Sequence, residues 1–281
     1  MIAAIEPNLT RPGALRVTTD LCARLRELGV DYLFYSSNDF LAKDLGGKAV
    51  PQAEFYGCPD VVIAVGGDGS IIRTAKYASA YEKPVLGINA GNVAFMAGLE
   101  ANEMSLLSNL TTGDYSVDPR MMLTVSVFQD GKTLIQKDCL NDAVFARGEG
   151  IYLTEITVTC DDVPVNTYRC DGLVLATPTG STAYSFAAGG PVAEPTLESI
   201  LMTPISPYAI FSRSVIFSAG SVLRISSAKR NRPLFLSADG GEAVEIPFGA
   251  FAIVRKCERY ANFIRIKNDR FWNVLLNKIG N

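Results

Sequence analysis

The stretch Asp60-Val-Val-Ile-Ala-Val-Gly-Gly-Asp-Gly-Ser70 decides how the first half of this chain folds. Its first six residues include an uninterrupted apolar run of the length of a strand buried on both faces, and such strands belong to parallel sheets covered by helices. The run then breaks on Gly66-Gly67-Asp68-Gly69, and the spacing predicts a helix over 70–79. Outward from this unit, residues 1–7 read as a short apolar strand. Residues 12–28 place Leu15, Leu21, Leu25 and Leu28 at near-helical spacing before Gly29 stops the helix. Further strands are expected over 30–35 and 84–88. Strands alternating with helices predict a doubly wound, Rossmann-like α/β domain, in which ligands sit beyond the carboxyl ends of the strands. Both glycine-containing turns, at 66–69 and 89–91, fall at such ends.

From about Met121 the pattern changes. Leu123-Thr-Val-Ser-Val127 and the segment from Ile156 to Thr159 alternate with period two, and Gln129-Asp130-Gly131 and Asp161-Asp162 are turn signals between strands. An antiparallel β-sandwich domain is expected to follow the α/β domain. Gly113 and Pro119 punctuate the polar stretch between them. The expected organisation is an α/β phosphate-binding domain over 1–115, a β-sandwich domain over 116–262 and a carboxyl-terminal segment over 263–281 that docks back, its apolar residues 271–276 forming one face of a helix.

Composition removes several chemistries. The 281 residues are 48% hydrophobic and 20% charged, enough to bury a full core. There is no histidine, which excludes Ser-His-Asp hydrolysis and imidazole catalysis. Six cysteines, Cys22, Cys58, Cys139, Cys160, Cys170 and Cys257, show no spacing typical of a zinc site, so reduced thiols and no protein-held metal are expected. Acidic residues outnumber basic ones, 29 to 26, and the densest basic run, residues 229–232, reads as a solvated turn; neither nucleic acid nor a membrane is expected as a partner. A basic leader followed by an apolar run is not evident, and a cytoplasmic location is the expectation.

Three elements carry chemistry. In Gly66-Gly67-Asp68-Gly69, backbone N–H groups free of side-chain bulk can converge on a phosphate while Asp68 holds a carboxylate beside it. The same turn could equally be an ordinary strand-to-helix connection in which Asp68 caps the helix. In Arg169-Cys-Asp171-Gly-Leu-Val-Leu-Ala-Thr-Pro-Thr-Gly-Ser-Thr-Ala-Tyr184, a strand ends in a loop rich in hydroxyls and poor in bulk, suited either to a polar ligand or to a purely local turn. Asn141-Asp142 lies between two expected strands and by itself marks only a turn.

Taken together, these elements resemble the NAD kinase family. Gly66-Gly67-Asp68-Gly69-Ser70 is similar to that family's GGDGT motif, Asn141-Asp142 to its Asn-Glu pair, and residues 171–191 to its DG…TPTGSTAYS…AGGP signature. Leu86-Gly-Ile-Asn89 with Phe95, Thr203-Pro-Ile-Ser-Pro207 and Asp239-Gly240 extend the resemblance over most of residues 60–240. It implies transfer of the ATP γ-phosphoryl group to the 2′-hydroxyl of the adenosine ribose of NAD, with magnesium carried by ATP. It further implies that Asp68 is the general base and that Gly66, Gly67 and Gly69 cradle phosphate, with Asn89 and Phe95 nearby. Asn141 and Asp142 would bind NAD; Arg169, Asp171, Thr182, Ala183, Tyr184 and Ala187 would line the nucleotide sites. A homodimer or homotetramer is implied as well. The chain departs from the family at Asp142, one methylene shorter than the usual Glu, at Tyr208, where a histidine is frequent, and at Gly241, where an amide is frequent. A non-catalytic dinucleotide sensor, or a related GGDG kinase acting on a lipid or sugar, are the alternative readings.

Overall fold

The structure, a computed structural model, describes residues 1–91, 94–150, 152–209, 212–227, 233–267 and 271–279; the basic run at 229–232 lies outside the described residues. The chain divides into two compact units, one of residues 1–119 with 259–281 and one of residues 120–258.

The first unit runs β1 (Ile2–Pro7), α1 (Ala14–Glu27), β2 (Asp31–Tyr35), α2 (Asp39–Leu45), β3 (Lys48–Val50), α3 (Gln52–Gly57), β4 (Val61–Gly66), α4 (Asp68–Ser79), β5 (Val85–Asn89), β6 (Leu99–Glu100) and α5 (Ser108–Thr112). Its central strands are parallel in the order β5-β4-β1-β2-β3. Every residue of β4 and β5 is buried, as an apolar run without alternation requires. The chain builds outward from β1 in one direction through β2 and β3, and in the other through β4 and β5. The carboxyl ends of β1 and β4 therefore flank the point where strand order reverses. The backbone N–H of Asn8, just past β1, donates to the Val65 carbonyl at 2.8 Å and fixes this crevice.

Helix α1 buries Val17, Leu21, Cys22 and Leu25, while Leu15 is 54% exposed. The expected apolar stripe exists, but Val17 rather than Leu15 completes it, because burial follows the face set by Leu21 and Leu25. The helix begins at Ala14 after Gly13, whose φ of 85° lies in the left-handed region, rather than at Pro12. Between β2 and β4 the structure adds α2, β3 and α3, short elements with little periodicity of their own.

The second unit contributes most of β7 (Ser116–Gln129), then β8 (Lys132–Cys139), β9 (Asp142–Arg147), β10 (Thr154–Cys160), β11 (Val163–Cys170), β12 (Gly172–Ala176), α6 (Tyr184–Ala187), β13 (Ser199–Ile205), β14 (Val215–Ser218), β15 (Leu223–Ser227), β16 (Leu234–Ala238), β17 (Val244–Ile246) and the first part of β18 (Phe251–Arg265). Helix α7 (Phe271–Ile279) closes the chain within the first unit, with Leu275 buried and Trp272 and Leu276 exposed. One antiparallel sheet has the order β14-β13-β12-β9-β16-β17. Another antiparallel ladder joins β11, β10, β15 and β18, and β8 hairpins onto β7. The layers meet where β10 packs on β12, β11 on β13 and β8 on β16.

The expected turns form for the expected reasons. Asp130 and Gly131 both have positive φ, as do Asp161 and Asp162, the geometry of two-residue hairpin turns. In β7 the alternation is chemical rather than spatial: Thr124 and Ser126 are buried along with Leu123, Val125 and Val127. The Thr124 hydroxyl donates to Asp138 Oδ1 at 2.6 Å, which satisfies one polar group on the strand's second buried face.

Candidate active site

The turn after β4 leaves no room for a side chain at Gly66 unless Ser70 shifts. A Cβ on Gly66 would come within 2.8 Å of Ser70 Oγ and 3.3 Å of Asn8 Cβ. Gly67 is the N-cap of α4 and brings no side chain to bond the N–H groups of the first turn. The outward donors and positive end of α4 therefore make an anion site. Arg11 reinforces it: its guanidinium lies 3.1 Å from where a Gly67 Cβ would stand and 3.6 Å from the corresponding point on Gly91. Nothing in the sequence marked Arg11, four residues beyond an unremarkable strand; only the fold brings it to the glycines.

Asp68 does not cap the helix. Its Oδ2 accepts the N–H of Phe95 at 2.9 Å and its Oδ1 accepts that of Met96 at 2.8 Å, so both oxygens are fixed in direction. Asn89, fully buried, ties the neighbouring turn: its amide donates to Glu100 Oε2 at 2.8 Å and its carbonyl oxygen accepts the Gly91 N–H at 2.9 Å. The Ala90 N–H donates to the Gly66 carbonyl at 3.0 Å. Gly66, Gly67, Asp68, Gly69, Asn89 and Phe95 thus form one constellation in the first unit.

In the second unit, β12, β9 and β16 lie side by side, and their ends bring three loops together. Asp142 opens β9 opposite Ala176, and Ala143 is paired with Ala238. Asp239, held at φ 50°, accepts the N–H groups of Leu140 at 3.0 Å, Asn141 at 2.8 Å and Asp142 at 3.2 Å. From the other side, Thr177 donates its hydroxyl to the Leu140 carbonyl at 2.6 Å and its N–H to the Asn141 carbonyl at 2.9 Å. Gly180 presses on the same carbonyl so closely that a Cβ there would stand 2.0 Å from the oxygen. The hydroxyl-rich loop is therefore moulded on Asn141 rather than merely local, and Thr182, Ala183 and Tyr184 follow directly from it.

Burial, with the negative charge of Asp239 adding to it, raises the Asp142 carboxyl from 3.8 to about 7, although a Tyr184 backbone N–H pulls the other way. The shortened side chain is consequently a carboxyl poised between protonated and ionised near neutrality. Arg147 Nε donates to Asp171 Oδ1 at 2.7 Å, a pairing that sequence reasoning missed. Arg169 stands apart, 3.5 Å from Glu155 and 5.3 Å from the ring of Tyr208. Tyr184 and Ala187 are exposed on the short helix α6.

The described residues contain no group of three His, Cys, Asp or Glu side chains that could hold a metal, and no helix among them is long and apolar enough to cross a membrane. All six cysteines are free thiols, and burial lifts those of Cys22 and Cys170 to about 11.

A phosphate turn at a topological switch point with a rigidly held carboxylate beside it is the construction of a phosphotransferase. The family model for the ATP-NAD kinase N-terminal domain matches residues 51–115, and that for the ATP-NAD kinase C-terminal domain matches residues 140–266. The chain is 35% identical to the NAD kinase of Caldanaerobacter subterraneus subsp. tengcongensis, over 98% of this chain and 97% of the relative. It is also 35% identical to that of Symbiobacterium thermophilum, over 99% and 98%. The crystal structure of an NAD kinase from Archaeoglobus fulgidus in complex with ATP superposes with a TM-score of 0.76 at 25% identity, covering 100% of this chain and 99% of that one. Yeast NADH kinase complexed with NADH shares the fold with a TM-score of 0.90 at 22% identity, over 99% and 87%. The chain belongs to the NAD kinase family.

Proposed function

We propose that this phosphotransferase acts as an NAD kinase, moving the γ-phosphoryl group of ATP to the 2′-hydroxyl of the adenosine ribose of NAD, with Asp68 as the base. The observation that carries this reading is the Asp68 carboxylate, clamped by the Phe95 and Met96 N–H groups beside the glycine turn. A carboxylate aimed in this way beside the glycine turn can orient the attacking hydroxyl and accept its proton as the new P–O bond forms and the bond to the ADP leaving group breaks. A carboxylate is a weak base for a ribose hydroxyl, so positioning and charge neutralisation supply most of the acceleration.

The charge arriving on the phosphates would be met by the N–H groups of Gly67 and Gly69, the amino-terminal end of α4 and the Arg11 guanidinium. Magnesium would travel with ATP, bound through phosphate oxygens, since the described side chains offer it no cage; it supplies neutralisation of phosphate charge. Asn141 and Asp142 would bind NAD, with Asp142 at a ribose. Arg169, Asp171, Thr182, Ala183, Tyr184 and Ala187 would line the nucleotide subsites, and Asn89 and Phe95 would hold the phosphate turn and Asp68. A homodimer or homotetramer in the cytoplasm completes the reading.

The test is an assay with ATP, magnesium and NAD in which NADP is followed by an NADP-specific dehydrogenase. Asp68→Asn keeps the shape and the two N–H contacts in part but removes the base. Turnover should fall by about 10²–10⁴-fold while nucleotide binding persists. A variant within a few-fold of wild type would remove the general-base assignment. No NADP from the wild-type protein would remove the kinase reading itself.

A further inference from the structure

Arg265, the last residue of β18, lies outside residues 60–240, which carry the resemblance, and no role assigned so far uses it. Strand β4 covers one edge of β5 along its whole length. On the other edge β18 pairs through Phe263 with Val85, and β6 takes over at Ile88. The chain leading into β6 is pressed in where the two meet. The Gly98 N–H donates to the Gly87 carbonyl at 2.9 Å, and a Cβ on Gly98 would stand 2.9 Å from both the Ile264 carbonyl oxygen and Leu86 Cδ1. This same segment carries the Phe95 and Met96 N–H groups that fix Asp68.

The Arg265 guanidinium holds the segment by its carbonyls. Nη1, which carries two hydrogens, donates to the Met96 and Ala97 carbonyls at 3.3 Å each, and Nε donates to Asp118 Oδ2 at 3.1 Å. Both side chains of the ion pair are 19% exposed. Asp118 offsets the charge and fixes the plane of the fork, so Arg265 gives the segment direction more than electrostatic potential. Residues 95 and 96 are thus tied to Asp68 through their N–H groups, and residues 96 and 97 to Arg265 through their carbonyls; Met96 belongs to both. A lysine could not take this place. Its ammonium on a flexible stem has no planar fork with which to meet a carboxylate and two carbonyls in fixed directions.

We propose that Arg265 is a positioning residue for the phosphoryl transfer: by fixing the Met96 and Ala97 carbonyls it sets the direction of the N–H groups that aim the Asp68 carboxylate at the attacking hydroxyl. This deepens the kinase reading and rests on it for the role of Asp68. With the fork removed, the segment can shift and the carboxylate turns out of line with the hydroxyl it must orient. A misplacement of about 1 Å costs on the order of 10²-fold in rate. The loss falls on the chemical step, because Arg265 acts through the base and not through either nucleotide.

Kinetics and hydrogen exchange together decide it. Arg265→Lys, Arg265→Ala and Asp68→Asn are compared with the wild type, singly and as the two double variants. Arg265→Lys keeps the charge and most of the stem, so it carries the test if the alanine variant does not fold. In both Arg265 variants kcat should fall about 10–100-fold, with KM for ATP and for NAD changed less than about twofold. In the Asp68→Asn background neither should lower the residual rate by more than about twofold, because a residue that acts through Asp68 has nothing to act on once the base is gone. Amide exchange, read by mass spectrometry on peptides covering residues 95–97, should quicken about tenfold in either variant. The proposal is overturned if kcat is unchanged, if the loss is as large in the Asp68→Asn background, if KM for either nucleotide rises while kcat holds, or if exchange at 95–97 is unchanged. An Arg265→Lys protein that does not fold would make the residue a purely structural one and overturn it too. Exchange needs no turnover, so a wild type that forms no NADP removes the kinase reading, while quickened exchange still leaves Arg265 as the clamp on the segment that holds Asp68. A wild type that forms NADP no faster than Arg265→Lys does the reverse.

Discussion

Replacing Asp142 with asparagine should make the protein more stable, and by an amount that grows with pH. Asp142 is 4% exposed, and burial together with Asp239 raises its carboxyl from 3.8 to about 7. A group whose folded pKa lies above its unfolded value favours the fold fully below the unfolded pKa, and that contribution is lost as pH rises through the folded pKa. The difference of about three units corresponds to roughly 4 kcal/mol once both states are ionised, at 1.36 kcal/mol per unit. Asparagine is neutral throughout and escapes this loss. Its other effects, on shape and on the Tyr184 hydrogen bond, do not vary with pH. The stability gap between Asp142→Asn and wild type should therefore widen by about 2–3 kcal/mol between pH 5 and pH 8 and level off above pH 8. Urea unfolding at each pH, with slopes compared to confirm that the same surface is exposed, measures it directly. A gap that stays flat from pH 5 to pH 8 would refute the claim that this carboxyl is buried against Asp239 with its proton held. NAD affinity, measured over the same range, should rise through pH 7 in wild type if the ionised form accepts ribose hydroxyls, and be flat in Asp142→Asn.

Asp239→Asn removes the like charge but not the burial, the larger cause, so it should narrow the pH-dependent gap without closing it; complete loss of the pH dependence would give Asp239 the dominant role. Gly180→Ala must displace the Asn141 carbonyl, and we expect a loss of about 3 kcal/mol in urea unfolding with weakened NAD binding, since backbone on backbone has no flexible end to yield. Tyr56→Phe leaves Glu6 without its 2.5 Å donor in a half-buried site and should cost about 1–2 kcal/mol, with unchanged stability as the contrary result.

Much of the architecture was legible because it is written in local periodicity. The unbroken apolar run of β4 could only be a strand covered on both faces, and Gly66-Gly67 could only end it. Asp130-Gly131 and Asp161-Asp162 made hairpin turns because Asp and Gly accept positive φ. The sequence pattern does not mark α2, β3 and α3, which are three to seven residues long and pack on β2 rather than carrying a periodicity of their own. Leu15 sits at helical spacing with Leu21 and Leu25 yet is exposed while Val17 is buried, because neighbouring strands choose the buried face.

The residues that could do chemistry were determined by sequence alone: a carboxylate in a glycine turn, an Asn-Asp pair, a hydroxyl-rich loop and no histidine anywhere. Only tertiary structure decided what each of them meets. Asp68 is aimed by N–H groups 27 and 28 residues further along the chain, and Arg11 reaches Gly67 because β1 and β4 are neighbours in the sheet. The Asp142 carboxyl is raised to about 7 first by burial and then by the charge of Asp239, 97 residues away, which lies beside it because β9 and β16 pair at their ends. Side-chain type is a local property fixed residue by residue, whereas electrostatic environment and hydrogen-bond direction depend on which distant backbone segments the strand order brings within a few ångströms.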